Sequence, residues 1–297
     1  MARIHQMTIP QFEKAFPNED ACAAYLVSHR WPDGVRCPRC GSRKVYALTT
    51  MAFKWECSDC RVGGAYRFSH IAGTVFENTN KPLRDWFRVI HMMMTSKKGI
   101  SALQVMRVMG FGSYKTAHYM CHRIRAALMD EEFQQLIGIV EIDETVVAGK
   151  AKNRHASKRG RNDKGFSGKP IIAGAVQRKG NVVARVIANT KTETLMAFVN
   201  EAVSDRVSLI CTDSYNAYHA LDRRFFHRSV DHTAGEYVVG AVHTQTIEGF
   251  WSLVKRGMVG TYHKVSAKYL PLYVAEFQFR YNNRLNDDIF GAAISAF

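Results

Sequence analysis

Three acidic residues in the second half of the chain stand in contexts that single them out: Asp143 in GIVEIDETVVAGK, Asp213 in VSLICTDSYNAY and Glu248 in HTQTIEGFWSLVKRG. Carboxylates are the hard oxygen donors that Mg²⁺ prefers, and two such ions can stabilise the attacking and leaving oxygens of an in-line phosphodiester displacement. Spacing alone does not select these three, because the chain holds 26 acidic residues. The elements that carry them are what matter. Asp143 lies in an apolar run that reads as a strand, where alternation puts Glu141, Asp143 and Thr145 on one face and Ile142 and Glu144 on the other. Glu141 and Glu144 therefore remain rivals or accessories to Asp143. Asp213 falls at the carboxyl end of another strand, where α/β sites commonly form, and a neighbouring position would bring it beside Asp143. Glu248 borders the apolar face of a helix on which Ile247, Phe250, Trp251 and Val254 recur at i, i+3, i+4 and i+7.

A second set of residues points to different chemistry. Of seven cysteines, four form the knuckles Cys37-Pro-Arg-Cys40 and Cys57-Ser-Asp-Cys60 with 16 residues between them. This is zinc-ribbon spacing: four soft thiolates close a tetrahedral site and leave no position for water, so the predicted Zn²⁺ is structural. The apolar VYAL and FKWEC segments between the knuckles predict a hairpin. Cys22, Cys121 and Cys211 stand alone and read as small buried residues.

The 297 residues are enough for two or three domains. Lys and Arg number 41 against 26 Asp and Glu, a formal charge of +15, which makes nucleic acid the first candidate partner. No run approaches the length of a membrane-spanning helix. The opening MARIHQMTIPQFEKAF lacks the apolar core of a signal peptide, so the expectation is a cytoplasmic protein with reduced thiols.

Along the chain, residues 1–34 predict a short helical segment and 35–66 the ribbon. Residues 67–136 form a helical region opened by Pro82 at a first-turn position before LRDWFRVIHMMMTS. Within it, SALQVMRVM, GFGS and YKTAHYMCHRIRAALM read as a helix-turn-helix with Ser113 as the cap of the second helix. The basic and polar face of that helix makes Lys115, His118 and Arg123 candidate DNA contacts. From 137 to 297 the pattern changes to three β-branched strands, a helix, a strand, a helix, a strand and a helix. That is the order of a ribonuclease-H-like α/β domain. The loop AKNRHASKRGRNDKGFSGKP follows the strand of Asp143, and its Lys158, Arg159 and Arg161 are candidate contacts for a phosphate backbone.

Taken together, CPRCGS with CSDC, GTVFENTNKPLRDWF, TSKKGISALQVMRVMG, VEIDETVVAGK, TDSYNAY, AGEYVVGAVHTQTIEGFWSLVKRGMVGTYHKVS and FRYNNR resemble the zinc-ribbon DDE transposases of bacterial insertion sequences over nearly the whole chain. The resemblance implies that Asp143, Asp213 and Glu248 hold two Mg²⁺ or Mn²⁺ ions, and that Cys37, Cys40, Cys57 and Cys60 hold zinc. It further implies that Lys255 and Arg256 bind phosphate, and that the reaction is DNA cleavage at the element ends followed by strand transfer into target DNA. Joining two ends implies at least a homodimer on DNA, in the bacterial cytoplasm at the nucleoid. Two other functions fit parts of the pattern: a catalytically inactive DNA-binding regulator derived from a transposase, and a ribonuclease-H-like nuclease that cuts without joining.

Overall fold

The structure is a computed structural model that describes residues 7–60, 65–129, 133–147, 169–230, 238 and 242–297. The chain divides into two compact units, Met1–Leu128 with Asn283–Phe297, and Met129–Asn282.

In the first unit, helix α1 (Ile9–Ala15) starts with a reciprocal capping box between Thr8 and Gln11, and α2 (Glu19–Arg30) is capped by the Asn18 side chain. The ribbon follows as a three-stranded antiparallel sheet of β1 (Val45–Ala47), β2 (Lys54–Cys57) and β3 (Tyr66–Ser69). The expected hairpin is present, with Val45 opposite Cys57, and it gains a third strand that carries the ribbon past residue 66. Helix α3 (Leu83–Thr95) has Pro82 at its N-cap, which offers no capping side chain. Glu19 of α2 does the work from a distance by accepting from the Leu83 and Arg84 backbone N–H groups, which ties the two helices together. Helices α4 (Ala102–Met109) and α5 (Tyr114–Ala127) form the expected helix-turn-helix. Gly110 closes α4 at φ +65, where a side chain would be strained, and Ser113 Oγ accepts from Lys115 N at 3.2 Å.

One difference concerns the chain's end. Residues 283–297 were expected to complete the second domain, yet they belong to the first unit. Helix α9 (Ile289–Ser295) inserts Phe290 among Phe12, Phe16, Tyr25 and Phe87, with ring centroids 5.4–6.0 Å apart. Burying this aromatic cluster is worth more than continuing the local chain direction.

The second unit is a five-stranded mixed sheet in the order β6-β5-β4-β7-β8. Its strands are β4 (Leu136–Val146), β5 (Ile171–Gln177), β6 (Val182–Ile187), β7 (Val203–Asp213) and β8 (His227–Val230). Strands β4, β5 and β6 are antiparallel neighbours, while β7 runs parallel to β4 and β8 parallel to β7. This is the ribonuclease-H-like arrangement. One face packs Val140, Ile142, Ala173 and Ala175 against α6 (Thr192–Ala202) and the short 3₁₀ helix Asn216–Arg223. The other packs Ile172, Val176, Val182 and Ala184 against α7 (Gln245–Gly257) and α8 (Leu270–Asn282). The outer edge of β6 is not left open. Asn282 exchanges two hydrogen bonds with Val182 at 2.8 and 3.0 Å, and Gln278 accepts from Ala184 N at 2.8 Å, so side-chain amides occupy the ladder positions of a missing strand.

Candidate active site and zinc centre

The four knuckle cysteines converge. Their sulfurs all lie within 4.8 Å of one another, with Cys37 to Cys60 at 3.8 Å and Cys40 to Cys57 at 3.7 Å. Four thiolates around zinc at about 2.3 Å define a tetrahedron with edges of about 3.8 Å, so the cluster has the dimensions of a structural zinc site. Burial acts to raise the Cys37 thiol, but the Cys40 and Arg39 backbone N–H groups outweigh it and bring it down to about 7. Cys60 is pushed up to about 12, first by its hydrogen bond with Cys40 and then by burial. Around the four cysteines Trp31, Trp55 and Phe68 supply a small apolar shell.

The carboxylates come from three elements of the second unit. Strand register sets the first two level: Glu141 of β4 pairs with Cys211 of β7, and two residues further along each parallel strand stand Asp143 and Asp213. The third acid, Glu248, sits in the first turn of α7. Asp143, Glu144, Thr145, Glu248, Trp251, Ser252, Lys255 and Arg256 line one open hollow. Burial, then the charge of Asp213, and further down the charge of Glu248, raise Asp143 to about 6. Asp213 and Glu248 therefore both sit close enough to Asp143 for their charges to matter. Among the described residues the cysteines are the one group of three or more possible ligands drawn within 4.8 Å, so the carboxylates are spread more widely. An open, acidic, partly desolvated hollow of this kind fits divalent cations by its hard oxygen donors.

Several neighbours orient these acids. Trp251 is buried against the sheet, as its position on the apolar face predicted, but its Nε1–H also donates to Asp143 Oδ2 at 3.0 Å. Its ring needs the space above Gly174, the cross-strand partner of Asp143, because a Cβ there would come within 2.6 Å of Cη2. Thr244 Oγ1 donates to Glu248 Oε1 at 3.0 Å. Behind Asp213, Thr212 Oγ1 donates to the Asp213 carbonyl at 2.6 Å and lies 2.8 Å from His227 Nε2, whose Nδ1 is 2.8 Å from Asp222 Oδ1.

The two rivals of Asp143 separate. Glu144 alternates away from Asp143 and accepts from Tyr218 Oη, yet it still borders the hollow; burial above all raises it to about 7. Glu141, on the same face as Asp143, is fully buried and receives the start of α7 together with Arg178. Neither role was legible in the sequence, since Arg178 lies outside the motifs and nothing in TDSYNAY or HTQTIEGFW marks Tyr218 or Thr246 as the partner of a strand carboxylate.

The candidate DNA contacts also divide. Lys115, Lys255 and Arg256 are exposed, the last two on the rim of the acidic hollow. His118 is half-buried and stacks on His122 at 4.0 Å; burial, then Arg125, lowers its pKa. Arg123 differs from expectation. Its guanidinium donates to the carbonyls of Glu77 and Thr74 and to Tyr119 Oη, tying the preceding loop to α5. Lys158, Arg159 and Arg161 lie outside the described residues. No helix among those described is long and apolar enough to cross a membrane.

A ribonuclease-H-like sheet presenting three acids, with a four-cysteine ribbon in the other unit, defines a class of nucleic-acid-processing proteins. Residues 135–282 match the ISXO2-like transposase domain, and residues 17–62 match the transposase zinc-ribbon domain. The chain is also similar, at 31% identity over 281 residues, to an uncharacterised protein in the transposable element ISH50 of Halobacterium salinarum; the match covers 90% of this chain and 92% of that one. The chain belongs to the zinc-ribbon transposase family of insertion sequences.

Proposed function

We propose that this protein cleaves DNA at the ends of an insertion sequence and transfers the freed strands into target DNA, with Asp143, Asp213 and Glu248 as the catalytic acids. The observation that carries the proposal is that Asp143 of β4 and Glu248 of α7 share one open hollow rimmed by Lys255 and Arg256, with Asp213 level with Asp143 on the adjacent parallel strand β7 and close enough for its charge to raise Asp143. Two Mg²⁺ or Mn²⁺ ions held by these carboxylates would supply Lewis-acid stabilisation of the attacking and leaving oxygens. The chain's own groups do the rest. Lys255 and Arg256, one to two turns beyond Glu248 on α7, hold the phosphate backbone over the acids. Trp251 fixes the rotamer of Asp143, and Thr244 that of Glu248. Water attacks the scissile phosphorus and the P–O3′ bond breaks, leaving a 3′-hydroxyl. That hydroxyl then attacks a target phosphodiester, one P–O bond forming as another breaks, so no external energy source is required.

Lys115 and the exposed face of α5 contact the element end, and two copies of the chain act together because two ends must be joined. The test is single-turnover cleavage and strand transfer on DNA bearing the element's inverted ends, with Mg²⁺ or Mn²⁺. Joined product is expected from the wild-type chain and none from Asp143→Asn, Asp213→Asn or Glu248→Gln. Cleavage without joining would favour a nuclease, and activity surviving all three substitutions would remove the site assignment.

A further inference from the structure

Strand β4 carries a carboxylate that the proposed chemistry does not use. Glu141 has no exposed surface, and burying a carboxylate is costly unless it is fully paired. Its partners are specific. Oε2 accepts from the backbone N–H of Thr246 at 2.7 Å and of Ile247 at 3.0 Å; Oε1 accepts from Thr246 Oγ1 at 2.8 Å and Arg178 Nε at 2.6 Å. His243 Nδ1 lies 3.2 Å away, and Arg178 Nη2 donates to the His243 carbonyl at 3.0 Å, closing the network.

The two backbone donors are the exposed N–H groups of the first turn of α7. They are the groups that an N-cap side chain normally satisfies. Thr244 is the N-cap residue, but its hydroxyl makes no cap hydrogen bond and donates instead to Glu248. The tasks are divided: Thr244 orients the catalytic carboxylate, and Glu141 replaces it as the cap, reaching across from the strand. The negative charge also complements the positive end of the helix dipole. Glu141 is two residues from Asp143 on β4, and the last N–H that it holds belongs to the residue before Glu248.

We propose that Glu141 is a positioning residue, which fixes the start of α7 to β4 so that Glu248 and Asp143 are held at the separation needed to bind divalent cations. The inference rests on the function proposed above. It explains why this strand needs a fully buried acid beside the half-buried Asp143. Partners of this kind, which touch a ligand's support and not the metal, change metal affinity by about 10-fold to 100-fold when removed.

The test uses the full-length, zinc-loaded chain without DNA, titrated with Mn²⁺ while free Mn²⁺ is followed by electron paramagnetic resonance. Glu141→Gln is expected to bind Mn²⁺ about tenfold more weakly with its zinc content unchanged, and its thermal midpoint falls as well because Arg178 loses its buried anion. Thr246→Val removes one donor and leaves the backbone N–H, so a smaller loss in the same direction is expected; it also serves if Glu141→Gln does not fold. Wild-type Mn²⁺ affinity in both variants would overturn the inference, as would lowered stability with unchanged affinity. Loss in Glu141→Gln as complete as in Asp143→Asn, with Thr246→Val unaffected, would make Glu141 a direct ligand and overturn it too. Failure of the wild-type chain to bind Mn²⁺ would overturn the proposed function itself, which separates the two failures.

Discussion

The two candidate metal centres of this chain are built on opposite plans. In the ribbon, four ligands fall within 24 consecutive residues, arrive on two knuckles, and close around a point at tetrahedral spacing. In the second unit, three candidate ligands come from β4, β7 and α7, more than a hundred residues apart at the extremes, and remain more widely spread, with Asp143 and Glu248 lining an open hollow and Asp213 on the strand beside Asp143. A closed site of soft ligands makes metal binding part of folding. An open site of hard, like-charged groups does the reverse: the burial and mutual repulsion that raise Asp143 cost the fold something, a cost that protonation or a bound cation would offset. The difference teaches which centre the fold needs and which one it merely carries.

Cys57→Ser should break the comparison most severely. Cys57 is fully buried at the end of the central strand β2, paired with Val45 of β1 and Tyr66 of β3, and structural zinc in small modules is worth on the order of 10 kcal/mol of apparent binding free energy. Zinc measured by elemental analysis is expected to fall from about one per chain towards none, with loss of hydrogen-exchange protection over β1, β2 and β3. The sheet of the second unit should keep its protection. A folded, zinc-free ribbon would remove the metal assignment.

Next in size is the response of catalysis. Asp143→Asn, Asp213→Asn or Glu248→Gln should each lower single-turnover cleavage by at least about 100-fold, comparable to the loss of one essential electrostatic contact in an active site. Zinc content and secondary structure should be unchanged. The contrast with Cys57→Ser is the point: removing a ligand from one centre unfolds it, and from the other silences it.

Stability against pH sharpens the contrast. Asp143 titrates at about 6 in the fold against an ordinary 3.8, and Glu144 at about 7 against 4.5. Between those limits the folded chain keeps protons that the unfolded chain has released. The stabilisation is therefore complete below the ordinary carboxylate range and is lost as pH rises through 6 to 7. Asp143→Asn removes the charge and keeps the shape. Without divalent cations it should be more stable than wild type by about 2 kcal/mol at pH 8, and the gain should shrink as pH falls through 6. Urea unfolding of the second unit at pH 8 and pH 5.5, with the ribbon kept zinc-loaded, measures this. A destabilised Asp143→Asn at pH 8 would contradict the reading.

The same contrast governs what the sequence could reveal. The ribbon was legible because its ligands are close in sequence and repeated, and the order of strands and helices gave the ribonuclease-H-like sheet. Alternation along β4 put Glu141 and Asp143 on one face, but could not tell which acid would be roofed by the start of α7. That depends on Thr246, Ile247 and Arg178, brought in from elsewhere in the chain. Arg123 looked like a DNA contact because charge is visible in a sequence, whereas the Thr74 and Glu77 carbonyls that engage it are not. The tail at 283–297 is anchored by Phe290 and Phe297, whose ring partners Phe12, Phe16, Tyr25, Phe76 and Phe87 all lie in the first third of the chain.

The smallest expected effect tests a residue that belongs to both descriptions. Trp251 is a core side chain packed on Gly174 and also the donor to Asp143, so removal of the indole N–H alone should be felt at the site. Trp251→Phe keeps an apolar ring and loses that hydrogen bond to a carboxylate, worth about 1–2 kcal/mol together with some loss of packing. Because the N–H favours the ionised form, its loss should raise the pKa of Asp143 further above 6. The pH at which Mn²⁺ binding reaches half its maximum should then move upward. A core residue with no part in the site would lower stability and leave that midpoint where it is. The shift, and not the stability loss, decides whether the helix that carries Glu248 also sets the charge of Asp143.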